Sequence, residues 1–491
     1  MASLNRKNGI SQMALSANTD WEVRTSGSAD NGGGFVVGAS GTDYSQQDAA
    51  ELSLTDGITS GAGSTTLSSI AGGFTSAMVG NLVYIASGTN FTTGFYEITS
   101  YTNANQVVLD RSPTPSGAGF VGNVKVGGAQ SDLQLVTDNV VAGNVCWIQA
   151  GTYDFSSATW SVPTNVGTNA APLQFIGYSA TRGDANTPVA IIDAGGTSNE
   201  ILRVGSSNAP GNITFKQLGF TDTTATYAVR CYGQCCRFIN CRVYEVGYTA
   251  FYLPAYGNVL INCEAHNYCQ SGSGYGFYAS TTGMRIYNCT ARLESFVGTT
   301  YGFYTRYDSF LQNCIAHGCY RGFYPYASSS TSVVVMTNCV AHSCTNAGWI
   351  SAASGGSVLL TDCFAIDCVN GIDDIGGTAL FSINRFYTHA NTTDLDTGGG
   401  NITFQFIDND QAEVRGGSGD PNNNVIDLGE DPFVDAANGD FRIKAGFVLP
   451  NGNALHGRSA FGSLPWNGAR VADNIGADTA PIQSAQSRRR T

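Results

Sequence analysis

One short phrase recurs about every two dozen residues between Phe238 and Asp374. Its copies are Phe238-Ile239-Asn240-Cys241, Leu260-Ile261-Asn262-Cys263, Ile286-Tyr287-Asn288-Cys289, Leu311-Gln312-Asn313-Cys314, Met336-Thr337-Asn338-Cys339 and Leu360-Thr361-Asp362-Cys363. Successive cysteines are 22, 26, 25, 25 and 24 residues apart. A fixed period in this range specifies stacked repeats, each of which buries its apolar side only against its neighbours.

Aligned on their cysteines, the phrases produce columns. Two residues after the cysteine stand Val243, Ala265, Ala291, Ala316, Ala341 and Ala365, all small and apolar. One position further stand Tyr244, His266, Arg292, His317, His342 and Ile366, mostly polar. Alternation along a strand therefore places the cysteine and alanine columns inside and the His/Arg column outside. An apolar residue always lies three positions before the cysteine. That odd spacing cannot keep both ends inward on one straight strand, so the chain must bend between them. Asn240, Asn262, Asn288, Asn313 and Asn338 are the candidate bends, because asparagine tolerates the left-handed conformation. Stacked asparagines can also hydrogen-bond from coil to coil. Gly276-Phe277-Tyr278, Gly302-Phe303-Tyr304 and Gly322-Phe323-Tyr324 mark a second station, with Ala250-Phe251-Tyr252 and Gly348-Trp349-Ile350 as variants.

Short bent strands in coils of about 25 residues predict an all-β chain built on a parallel β-solenoid. These asparagine-bent coils resemble the right-handed parallel β-helix, or pectate-lyase-like, repeat family. Asp431 to Lys444 and Asn474-Ile475-Gly476-Ala477 are similar to that family's closing phrase. The resemblance implies the fold and leaves function open, since lyases, hydrolases, adhesins and phage tailspikes share it.

The rest of the chain divides around the repeats. Residues 1–50, with the Gly/Ser-rich stretch Ser26 to Gly38, read as an extended attachment arm too poor in apolar residues for a core of its own. Residues 51–130 read as a small β domain, 131–400 as the β-helix, 401–477 as a closing module and 478–491 as a polar tail. Met1 to Ile10 lacks the apolar core of a secretion signal, and no apolar run is long enough to span a bilayer, so no membrane insertion is expected. The 14 cysteines are then expected as free thiols made in a reducing cytosol. A net charge of −13 excludes broad nucleic-acid binding, which requires a basic face.

Candidate chemistry is sparse. Polysaccharide cleavage requires clustered carboxylates, and the repeats offer Glu264, Asp373 and Asp374 as the candidates, at stations that do not coincide. Cys314-x-x-His317-x-Cys319 and Cys339-x-x-His342-x-Cys344 mimic metal ligands, but parity puts cysteine and histidine on opposite sides of the strand. The inward Cys241, Cys263, Cys289, Cys314, Cys339 and Cys363 are expected to pack as small hydrophobes, and no metal or cofactor is expected. A binding face for a glycan or a protein partner is expected from the outward His266, Arg292, His317 and His342, with Tyr252, Tyr278, Tyr304 and Tyr324.

Together these features point to a non-enzymatic tailed-phage virion structural protein, a capsid decoration or turret, or a tail spike or fibre. It is expected to assemble in the host cytoplasm as a homotrimer, attach to other virion proteins through its arm and β domain, and bind a host surface glycan. Segments around Trp21, Asn31 to Phe35 and Gly41 to Ser45 are similar to phage structural proteins. The alternatives are a glycan-cleaving tailspike depolymerase, a polysaccharide lyase or hydrolase, and a bacterial surface adhesin.

Overall fold

The computed structural model describes residues 15–295, 298–327, 329–351, 356–374 and 380–396, and the strands Thr403–Phe406, Val425–Asp427, Phe433–Asp435 and Asp440–Ile443. The repeats form a right-handed parallel β-helix with three strands per coil. One coil shows the scheme: Val259–Ile261 on the first face, Glu264–His266 on the second, and Gly274–Ala279 on the third.

Register runs straight up the rod. Phe238, Leu260, Ile286, Leu311, Met336 and Leu360 pair in sequence on the first face. Val243, Ala265, Ala291, Ala316, Ala341 and Ala365 do so on the second. The third face is one sheet of ten parallel strands from Trp160–Val162 to Thr393–Asp396.

Asparagine makes the first bend. Asn240, Asn262, Asn288, Asn313 and Asn338 have φ between 52° and 55°, and Asp362 follows at 53°. Their side chains form a ladder in which Asn262 Nδ2 donates to Asn240 Oδ1 at 3.1 Å, Asn313 to Asn288 at 3.0 Å and Asn338 to Asn313 at 2.6 Å. Four residues after the cysteine a second left-handed column, Glu245, Asn267, Gly318, Ser343 and Asp367, turns the chain from the second face to the third. Two of these turn residues, Glu245 and Asp367, carry carboxylates.

The core is made of ladders of like residues. Cys241, Cys263, Cys289, Cys314, Cys339 and Cys363 are at most 1% exposed, and all six are free thiols. Each thiol donates to a nearby carbonyl, as Cys263 Sγ does to Phe238 O at 3.3 Å. Burial raises the thiols of Cys241, Cys339 and Cys363 well above the usual cysteine range. Phe251, Phe277, Phe303, Phe323 and Trp349 stack with centroids 5.1, 4.7, 5.0 and 4.8 Å apart. The glycine before Phe277, Phe303, Phe323 and Trp349 is required by space: a Cβ on Gly302 would lie 2.6 Å from Gly322 O and 2.8 Å from Ala316 Cβ. The alanine and glycine columns thus pinch each coil between its second and third faces.

The N-terminal residues close the first coil. Of the expected arm, strand Thr19–Val23 lies parallel to Val145–Gln149 and antiparallel to Gly34–Val36. Trp21 enters the rod's core and meets Phe95 of the β domain edge-on at 4.9 Å. Leu82 belongs to the same core, so the β domain plugs the end of the rod while keeping a second core of its own. Its six strands form an antiparallel sheet between Leu52 and Val126. Glu22 is fully buried, yet it is held by Arg24 and Arg182 at 2.8 Å each and by the Tyr178 hydroxyl. Arg182 also reaches Asp43 at 3.1 Å and Ser45 Oγ at 3.0 Å. A buried carboxylate is tolerated only with such partners.

At the other end, parallel pairing continues through Thr403–Phe406 and Val425–Asp427, both against Leu380–His389. The rod therefore extends past residue 400, where the closing module was expected to begin. Of that module, Phe433–Asp435 and Asp440–Ile443 form an antiparallel pair. The expected tail, 478–491, lies outside the described residues.

Candidate functional site

The third face carries the candidate site. Its strands end their inward run at phenylalanine, so the next residue must face out. Tyr252, Tyr278, Tyr304 and Tyr324 accordingly form an outward column, each half-buried, with centroids 5.0, 4.9 and 4.9 Å apart. The last two contacts are edge-to-face, at 82° and 83°, the geometry that the ring quadrupole favours.

A second column, not identified in the sequence, lies beside it. Strict alternation would turn Tyr275 inward with Phe277. The pinched Gly276 and Gly302 break that alternation, and Tyr275 and Tyr301 face out, stacked at 5.0 Å. Tyr275 touches Tyr278 at 4.6 Å, Tyr301 touches Tyr324 at 5.6 Å, and Tyr227 and Tyr326 extend the cluster. Burial, then Tyr301, pushes the Tyr275 hydroxyl up to about 12, and burial raises Tyr304 as well. These hydroxyls stay protonated, so each can both donate and accept a hydrogen bond. Arg230, Arg306 and Arg321 lie over rings of this face, Arg230 at 5.4 Å from Tyr227 and Arg321 at 5.7 Å from Tyr301. The only sequence sign of Arg306 and Arg321 was their position near the Gly-Phe-Tyr station.

The expected His/Arg column divides. His266 and Arg292 are partly exposed on the second face. There Arg242 donates to His266 Nδ1 and pairs with Glu264 at 3.3 Å, while His266 Nε2 lies 3.3 Å from Glu294. Arg292 meets the same Glu294 at 3.6 Å. His266 and Arg292 hold the Glu294 carboxyl below its usual range, His266 contributing most. His317 and His342 are 9% and 5% exposed and do not join an accessible face. Their neighbours on that side of the sheet, Ile315, Val340 and Phe364, are large, apolar and buried with them. The two imidazoles pack together at 5.3 Å. Burial first, then His342 and Arg292, lowers His317 to about 4.

The carboxylate candidates are not brought together. Glu264 lies on the second face, four coils before the coil that carries Asp373 on the third. At about 4.8 Å per coil the axial separation alone is roughly 19 Å, beyond the reach of a paired-carboxylate hydrolysis. Asp373 is buried in strand Asn370–Asp374, and the Asp374 side chain lies outside the described residues.

No curated protein matches the chain. A rhamnogalacturonan lyase aligns at 16% identity and a TM-score of 0.40, over 57% of this chain and 82% of that one. Pectate lyase Pel9A aligns at 15% identity and a TM-score of 0.40, over 71% and 88%. An alginate lyase from Paenibacillus sp. str. FPU-7 aligns at 12% identity and a TM-score of 0.33, over 56% and 92%. Residues 227–387, which include every copy of the repeated phrase, match the family model of the right handed beta helix region. This stretch of the chain is a right-handed parallel β-helix.

Proposed function

We propose that the chain is a non-enzymatic structural protein of a tailed-phage particle, a trimeric spike, fibre or capsid decoration, whose rod displays a glycan-binding face. The two tyrosine columns on the third face carry this reading. Adjacent coils hold their rings at fixed spacing, so the face loses little side-chain entropy when a ligand settles on it. Half-buried rings with free edges and hydroxyls offer apolar contact and hydrogen bonding together, the combination that a sugar surface requires. A plugged N-terminal end suits attachment: the β domain is locked to the rod through Trp21, Phe95 and the Glu22 cluster, so a load on one is borne by the other.

The test is binding of the full chain to a panel of surface glycans, with Tyr278→Ala and Tyr304→Ala, and immunodetection of the chain in purified particles. Glycan binding that both substitutions abolish, with the chain present in particles, is the expected result. Glycan binding unaffected by either substitution removes the face from the reading. Absence of the chain from particles removes the structural role.

A further inference from the structure

The arginines of the described rod fall into groups by what balances them. Arg203 and Arg230 share Glu200, each at 2.6 Å. Arg242 meets Glu264, and Arg292 meets Glu294. Arg237 and Arg285 are exposed on the first face, open to water. Arg306 and Arg321 differ: both are half-buried on the third face, and neither has a carboxylate partner among the described residues. Half-burial without a counter-charge is costly for a guanidinium unless something else supplies the anion.

Both side chains are held in place. Arg321 Nε donates to Asn346 Oδ1 at 2.8 Å and its Nη1 to the Tyr301 hydroxyl at 3.2 Å. The Arg306 guanidinium lies 5.0 Å from the rings of both Tyr307 and Tyr326, and its Nε is a buried donor without a hydrogen-bond partner. Register places them at opposite ends of one patch, since Arg321 pairs with Tyr301, Tyr304 with Tyr324, and Arg306 with Tyr326. Arg306 lies five positions after Tyr301 in one strand. At about 3.3 Å per residue the two cations stand roughly 16 Å apart, with tyrosine rings between them.

We infer that this patch is a two-point anion site, and that the ligand of the third face is an acidic glycan laid across the rod along its strands. One acidic group meets Arg321, another meets Arg306, and the sugar between them rests on Tyr304 and Tyr324. Carboxylate, sulfate and phosphate esters share this chemistry, because each accepts a forked pair of hydrogen bonds from a guanidinium. On a chain of net charge −13, these two cations would also set the orientation of an approaching polyanion. The inference rests on the glycan-binding reading and adds the ligand's charge and direction.

The experiment compares the full chain on hyaluronan, carboxyl-reduced hyaluronan, dextran sulfate and dextran by calorimetry or surface binding. Acidic polymers should bind more tightly than their neutral counterparts, and added salt should weaken that binding. Arg306→Gln and Arg321→Gln should each weaken it by roughly tenfold, the scale of one charge-assisted hydrogen bond. Arg285→Gln, on the first face, should leave it unchanged. The difference between hyaluronan and dextran sulfate assigns the anion as carboxylate or sulfate. Equal binding of acidic and neutral polymers, or Arg306→Gln and Arg321→Gln behaving like Arg285→Gln, overturns the inference and leaves the glycan-binding reading standing. Failure of all four polymers to bind counts against both.

Discussion

Substitution of Asn313 separates the two tasks of a ladder asparagine. The residue bends the chain at φ 55°. It also donates to Asn288 Oδ1 at 3.0 Å and accepts from Asn338 Nδ2 at 2.6 Å. Glycine keeps the bend and loses both side-chain bonds. At about 1 kcal/mol for each neutral hydrogen bond, Asn313→Gly should cost about 2 kcal/mol. Alanine loses the same bonds and must also hold a left-handed conformation, which adds about 1 kcal/mol, so Asn313→Ala should cost about 3 kcal/mol. Because each coil touches only its neighbours, the loss is local and global melting would dilute it. Hydrogen exchange read on peptides spanning 286–292, 311–317 and 336–342 reports the local opening free energy. Equal losses for the two variants would refute the conformational role of asparagine. Losses under about 0.5 kcal/mol for both, the noise of ordinary surface changes, would refute the ladder.

Four other outcomes are expected. Gly302→Ala places a Cβ 2.6 Å from Gly322 O; the backbone must yield, and urea unfolding should show a loss of about 1–3 kcal/mol. Thiol labelling of the native protein should modify Cys235, the exposed one of the 14 cysteines, and the other 13 only after unfolding; fast labelling of several would contradict the buried ladder. His317 is held neutral down to about 4, whereas the unfolded chain takes up that proton near 6.5. Stability should therefore fall as pH drops from about 6.5 towards 4, by on the order of 2 kcal/mol, and His317→Gln should flatten that slope in urea midpoints. Glu264→Gln, four coils and one face away from Asp373, should cost under about 1 kcal/mol by loosening Arg242, and should leave third-face binding unchanged.

Some of this protein was legible because a repeat averages out local ambiguity. One asparagine before one cysteine says little, but six stacked copies fix which column bends and which faces inward. The parallel β-solenoid and its cysteine and alanine core followed from period and parity, and the right hand of the coil from the resemblance to a known family. The inference failed where parity itself broke. Tyr275 and Tyr301 face out only because the adjacent glycines have no room for a side chain, and that room is set by Ala291 and Ala316 on another face. His317 and His342 have outward parity and are nonetheless buried, because outward and exposed are different properties.

The sequence by itself determined the rod: its coil length, its bends and its ladders, since these depend on contacts between a residue and its own copies one period away. Tertiary structure alone decided the charges. Whether an arginine is neutralised depends on carboxylates from unrelated positions, as Glu200 neutralises Arg230 while Arg306 and Arg321 face the tyrosines with none among the described residues. It likewise decided how the rod begins, by bringing Trp21, Phe95 and Glu22 against the first coil. No periodicity encodes such contacts, because each is made once.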